Sequence, residues 1–274
     1  MHAIGADRPS HGEFFVTMTS RRTKLFRALA IVFPFLLIGM ANLSLYLLGV
    51  GVDTTLVVRA KQLSEPVYYL NPDVDRAYCT TDLRGPEPRG FTLPKPSKTM
   101  RIVVVGESSV QGYPHPSELS FPRQMEIMLQ RQLPEVKVEV LNAGIVGVCS
   151  LPLVDIVRQS FAAQPDLIVV YAGHNEFYGV GGVASNATLG RVSMNARRYR
   201  LTQFLANGLG GEQGSEGELV TRLPKQLAIP TSHVWVAQAE RAYESRMNEI
   251  ADQCAAAQVP LVPVSYTHLR AHET

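Results

Sequence analysis

The chain has 274 residues, room for one membrane segment and one soluble domain of ordinary size but not for a second large domain. Its net charge of +2 is close to neutral, and no basic stretch is interleaved with aromatics, which argues against nucleic acid as a partner. Cys79, Cys149 and Cys254 lie far apart without C-x-x-C spacing, so they read as small buried apolar residues rather than zinc ligands or a disulfide framework.

From Ala28 to Val52 the chain reads ALAIVFPFLLIGMANLSLYLLGVGV, without a charged side chain. At roughly 1.5 Å per residue a helix of that length crosses a ~30 Å hydrocarbon core, and the run is too long for the apolar part of a cleavable signal peptide. Segment 28–52 is therefore expected to be a transmembrane helix acting as a signal anchor; a kink at Pro34 is tolerable in a membrane. Arg21, Arg22, Lys24 and Arg27 crowd its N-terminal flank, whereas the other flank opens with Asp53. The positive-inside rule then puts 1–27 in the cytoplasm and everything after Asp53 outside it.

Residues 53–99 carry Pro66, Pro72, Pro86, Pro88, Pro94 and Pro96 with few apolar runs. They read as an extended extracytoplasmic stalk, with Tyr68, Tyr69 and Phe91 able to pack on a following domain. From residue 100 the pattern alternates. IVVV (102–105) reads as a buried strand, and Phe121, Met125, Met128, Leu129 and Leu133 fall on one helical face. VKVEVL (136–141) is a second strand, Leu153, Ile156, Val157 and Phe161 mark a second helix, and LIVVY (167–171) is a third strand. Residues 180–230 hold Arg191, Arg197, Arg198 and Arg200 ahead of a Gly/Glu-rich stretch, and read as either a lid-like insertion or a surface loop. A long helix follows through Val236, Ala239, Tyr243, Met247, Ile250 and Cys254, then the apolar run VPLVPV (259–264). Such alternation predicts an α/β domain over 100–264, a three-layer parallel sheet with helices on both faces and its chemistry at the carboxyl ends of the strands.

Three polar clusters fall at those ends: GESSVQG (106–112) after the first strand, NAG (142–144) after the second and GHNE (173–176) after the third. A serine nucleophile needs a base, and the oxyanion it generates needs donors fixed beforehand. Ser108 would supply the nucleophile, and the Gly144 N–H and the Asn175 amide would supply donors. A glycine–serine turn or a loop asparagine taken singly more often serves only the backbone; the case lies in three blocks in register. Rival motifs fail on spacing, because Val110 stands where a nucleophile elbow needs Gly, and Gly106 and Gly112 are not followed by the Lys-Ser/Thr of a phosphate loop. No metal or cofactor is implied.

In these blocks, and in their order, the sequence resembles the SGNH (GDSL-like) serine hydrolases over roughly residues 101–264. The resemblance implies a flavodoxin-like sheet, Ser108 as nucleophile with its own N–H facing the oxyanion, and Gly144 and Asn175 as the other oxyanion-hole residues. Glu107 and Glu176 stand where the family usually has Asp, and both keep the carboxylate. The string VVYAGHNEFYG also resembles extracytoplasmic SGNH domains of bacterial membrane proteins. His174 is read as a pocket-lining residue, His115 as an exposed loop residue, and Ser109 as the second choice of nucleophile.

The family's Asp and His come from a D-x-x-H block, which this sequence does not contain. SYTHLRAHET (265–274) breaks the pattern and resembles a translated sequencing-adapter read-through, which would make His268 and His272 artefacts. The native protein is accordingly expected to continue past Val264, with this chain inactive for want of the Asp–His block. The function implied is ester hydrolysis or acyl transfer outside the cytoplasm on an ester-bearing substrate, such as an acylated envelope glycan or lipid. The alternatives are a non-catalytic SGNH-like module binding glycan or a partner, or a scaffold whose main domain lies further on.

Overall fold

The computed structural model describes residues 20–61, 65–78, 84–173, 175–177, 187–209 and 234–265. The apolar N-terminal run forms α1 (Ser20–Leu47), with Pro34 inside it. From Arg22 to Leu47 this helix is long and apolar enough to cross a membrane, and its Leu, Ile and Phe side chains stand exposed.

The stalk expected over 53–99 is not extended. Its described residues form an antiparallel sheet of β1 (Val57–Arg59), β2 (Val67–Leu70) and β3 (Gly90–Thr92), with a 3-10 turn over Pro72–Ala77. Leu56, Leu70, Val74, Ala77, Tyr78 and Phe91 are buried in the main core. The prolines sit where they cost little: Pro72 opens the 3-10 turn, where Asn71 caps the Asp73 N–H, and the others lie outside the three strands.

The main sheet is parallel throughout, in the order β5 (Lys137–Gly144), β4 (Thr99–Gly106), β6 (Leu167–Ala172), β7 (Leu261–Ser265). Period-two alternation sends Val103, Val105, Leu141, Ala143, Ile168 and Val170 to one face, and Ile102, Val104, Val138, Val140 and Val169 to the other. The first face packs on α4 (Ser150–Ser160) and on α7 (Val234–Ala256) through Ile250 and Cys254. The second packs on α3 (Phe121–Gln132) through Phe121, Met125 and Leu129, and on Val110 of the short helix α2 (Ser108–Gln111). Helices thus cover both faces, as the alternation predicts. Each large aliphatic side chain so buried contributes roughly 1.5–3 kcal/mol. Met128, expected on the inner stripe of α3, is exposed; it lies three residues past Met125, on the rim of the face.

Two further helices, α5 (Ala187–Ala196) and α6 (Arg200–Leu209), occupy the stretch read as a lid or loop. Arg191 pairs with Glu249 of α7, Arg198 with Asp155 of α4, and α6 lies against α1. Cys149 and Cys254 are buried thiols, while Cys79 lies outside the described residues.

Candidate active site

The strand order places β4 between its two successors, so the chain leaves β4 toward opposite sides at the β4/β6 switch point, where parallel sheets form crevices. Gly106 pairs with Gly144 on one side and Tyr171 on the other, so the three motif blocks emerge at one level. Close approach there requires glycine. A Cβ on Gly106 would stand 2.2 Å from the Tyr171 carbonyl oxygen, and one on Gly144 would stand 2.3 Å from the Gln111 nitrogen.

Ser108 is the first residue of α2, half-buried, and its Oγ is engaged by no hydrogen bond among the described residues. Ser109 is exposed and points away from the core that holds Val110. The helix closes on Gly112, whose φ of 100° is left-handed.

Two buried carboxylates stitch the blocks together. Glu107 Oε1 accepts the Gly173 N–H at 3.0 Å, tying the serine block to the block after β6. Glu176 accepts the Ser150 N–H (2.7 Å) and Ser150 hydroxyl (2.9 Å) at the first turn of α4, where a negative charge complements the helix dipole. Arg246 Nη1 of α7 donates to Glu176 Oε2 at 3.0 Å and to Ser150 Oγ at 3.1 Å. Burial, with the Glu107 charge adding to it, holds the Glu176 carboxyl above its ordinary range against the Ser150 and Arg246 contacts. Both Glu side chains therefore do positioning work, each holding the backbone of a neighbouring block.

Asn175 is 7% exposed, and its Nδ2 donates to the Val148 carbonyl at 2.8 Å, joining the third block to the second and leaving one amide hydrogen uncommitted by that bond. Asn142 holds the second block to the first: its Nδ2 donates to the Val110 carbonyl at 2.9 Å and to Ser120 Oγ at 3.2 Å.

The expected donor role of Gly144 is not what the structure holds. Its N–H donates to Asn142 Oδ1 at 3.0 Å, and the residue is buried against the Val110–Gln111 backbone. Gly144 serves close packing instead. Three residues on, Gly147 sits in the turn after β5 with φ 75°, is partly exposed, and has no hydrogen bond among the described residues. The signal was present in the sequence as a second glycine in NAGIVG, but only the point where the strand ends separates the two.

His115, the one histidine among the described residues, is exposed, as expected of a proline-flanked loop. His174, His268 and His272 lie outside the described residues. Beside α2 a cavity of about 310 Å³ is lined by Pro72, Asp75, Glu87, Gln111 and Ser117 among others. Gln111 is 3% exposed and its Oε1 meets no donor among the described residues. Among the described residues no cluster of His, Cys, Asp and Glu is arranged to hold a metal ion.

Neither a protein-family model nor a curated protein sequence matches the chain. Among solved structures it is similar to AlinE4, an SGNH-hydrolase family esterase, at 17% identity over 60% of this chain and 75% of that one, with a TM-score of 0.30. It is similar to TesA at 16% identity over 58% of this chain and 99% of that one, with a TM-score of 0.28. A family 3 carbohydrate esterase of Clostridium thermocellum is 15% identical over 62% of this chain and 82% of its own, with a TM-score of 0.29. The chain's own sheet is parallel, is covered by helices on both faces and is preceded by one apolar helix.

Proposed function

We propose that the chain is a membrane-anchored serine ester hydrolase or acyl transferase working outside the cytoplasm, with Ser108 as its nucleophile. The observation that carries this reading is the position of Ser108: first residue of a helix, half-buried at the switch point, with its Oγ unengaged among the described residues. In the reaction, Ser108 Oγ attacks the ester carbonyl while its proton passes to a base, giving a tetrahedral oxyanion. The Ser108 N–H, the second amide hydrogen of Asn175 and the Gly147 N–H, in place of Gly144, are the donors proposed to stabilise it. Collapse expels the alcohol and leaves an acyl-serine, which water or a second alcohol then resolves.

The base is proposed to come from outside the described residues, since His115 faces solvent. The cavity beside α2, with acceptors on Asp75, Glu87 and Gln111, supports a hydroxyl-rich alcohol such as a glycan unit. The apolar surface of α1 and the arginines and lysine in its first turns support a span with its N-terminus in the cytoplasm. A second reading, a non-catalytic module binding glycan or a partner, is favoured by the lack of a positioned base among the described residues.

An organophosphonate that reacts only with activated serines separates the two. In a form of the protein that supplies the base, the expected result is a single adduct on Ser108 by mass spectrometry, absent from Ser108→Ala, with aryl-ester turnover falling on the order of 10⁴-fold or more in that variant. No adduct on Ser108, or equal turnover by both forms, would hand the protein to the binding-module reading.

A further inference from the structure

Helix α6 carries its apolar stripe on the wrong side for a domain surface. Leu201, Phe204, Leu205 and Gly208 recur at i, i+3, i+4 and i+7, the spacing that ordinarily faces a core. Yet Phe204 is 52% exposed and Leu205 49%, and the buried side chain of the helix is the polar Gln203.

Gln203 and its neighbours bind the carboxyl end of α1. Gln203 Oε1 accepts the Val52 N–H at 2.9 Å, and its Nε2 donates to the Val52 carbonyl at 3.2 Å. The Leu201 N–H donates to Asn42 Oδ1 at 3.2 Å, and the Arg200 guanidinium lies 5.8 Å from the centre of the Tyr46 ring. These contacts bring the stripe of α6 beside the exposed Leu43, Tyr46 and Leu47 of α1 and the Leu48 that follows it. Those residues lie in the outer end of the run that the anchor reading places in the membrane. Tyr199, 60% exposed, precedes the helix, and Arg76 and Arg197 line a cleft with Gly51 and Val52 at the same junction. Apolar stripe, aromatic edge and basic flank are the three features of a helix lying in a bilayer interface.

The geometry points to α6 as an interfacial helix: its Phe204 and Leu205 enter the outer leaflet of the bilayer that α1 crosses, and Arg197 meets lipid phosphates. This placement rests on the reading of α1 as a membrane anchor. It makes the attachment two-point, one helix through the bilayer and one along it, and so sets the tilt of the sheet domain.

The test uses the full chain in vesicles of phosphatidylcholine and phosphatidylglycerol, with Trp235→Phe removing the one native tryptophan. Single tryptophans are placed by Leu205→Trp in α6, Leu36→Trp in α1 and Met128→Trp on the exposed side of α3. The lipids carry bromines about 5–10 Å below the headgroup boundary, the depth an interfacial helix reaches. The expected result is loss of fluorescence at positions 205 and 36 and none at 128, with Phe204→Trp repeating the result should Leu205→Trp misfold. Quenching at 36 without quenching at 204 or 205 overturns the interfacial helix and leaves the anchor standing. Loss at none of the positions overturns the anchor and the inference with it.

Discussion

Two arginine–glutamate pairs are buried at opposite ends of the parallel sheet, and they behave in opposite ways. At the amino end Arg101 is 0% exposed and bonds Glu139 at 2.7 Å, the Ala163 carbonyl at 2.5 Å and the Thr92 carbonyl at 3.1 Å, with its guanidinium 4.7 Å from the centre of the Phe91 ring. Glu139 meets a second cation, Lys137, at 2.7 Å. Burial opposes its ionisation, but the bonds from Lys137 and Arg101 outweigh that and hold its carboxyl below the ordinary range. At the carboxyl end Glu176 has one cation among the described residues, Arg246, and burial, with the neighbouring Glu107 carboxylate adding to it, holds its carboxyl above the ordinary range. One pair is neutralised in excess and locks the small sheet to the large one; the other joins the loops of the candidate site with a single cation among the described residues. A buried ion pair is thus an anchor or a strained positioning device according to its second neighbour.

The comparison breaks most sharply on removing each arginine. Arg246→Ala leaves Glu176 without a cation and should cost about 3–5 kcal/mol in denaturant unfolding in detergent micelles. Because Glu176 lies next to Asn175, the same variant should also lose organophosphonate labelling of Ser108. Arg101→Ala should cost about 3 kcal/mol, the low end of that range, because Lys137 remains beside Glu139. It should leave the labelling rate of the folded protein unchanged; equal loss of labelling in both variants would erase the distinction between anchor and positioning pair.

The pH dependence sharpens the contrast. Glu139 titrates lower in the fold than in the unfolded chain, so its contribution is full above the unfolded carboxyl range, about pH 4.3, and is lost as pH falls through the lowered value. Glu176 titrates higher, so folding takes up a proton: its contribution is full below the unfolded range and is lost as pH rises through the raised value. Glu139→Gln and Glu176→Gln should therefore change the slope of stability against pH in opposite directions, and slopes of like sign would refute the assignment. The smallest effect concerns Cys149, whose thiol burial pushes up to about 12, with Glu176 adding to the shift. It should resist alkylation at pH 8 in the native protein and react once the chain is unfolded in denaturant, as read by mass spectrometry.

The main sheet was legible because its signals are local: IVVV, VKVEVL and LIVVY announce strands, and the polar blocks follow them directly. Segment 53–99 was not, because three strands of three or four residues are too short to show a period against six prolines, and their partners are one another and a core contributed by distant residues. Helix α6 was hidden by Gly208 and the glycines that follow it in the sequence, which read as loop, and by a polar contact, Gln203 with Val52, that reaches some 150 positions back. Within the candidate site, Ser108 and Asn175 were readable as residue types at strand ends. Gly144 was misassigned because the commitment of an N–H to a neighbouring side chain, here Asn142 Oδ1, leaves no trace in spacing.

The folded-back segment after α1 also governs any released form of the protein. Leu56, Leu70, Val74, Ala77, Tyr78 and Phe91 belong to the core, and each is worth up to a few kcal/mol where a whole domain has about 5–15. A protease that cut near Val52 would liberate an intact body. One that cut near residue 98, at what the sequence presents as the base of a stalk, would carry away six core side chains and leave a remnant unable to stay folded.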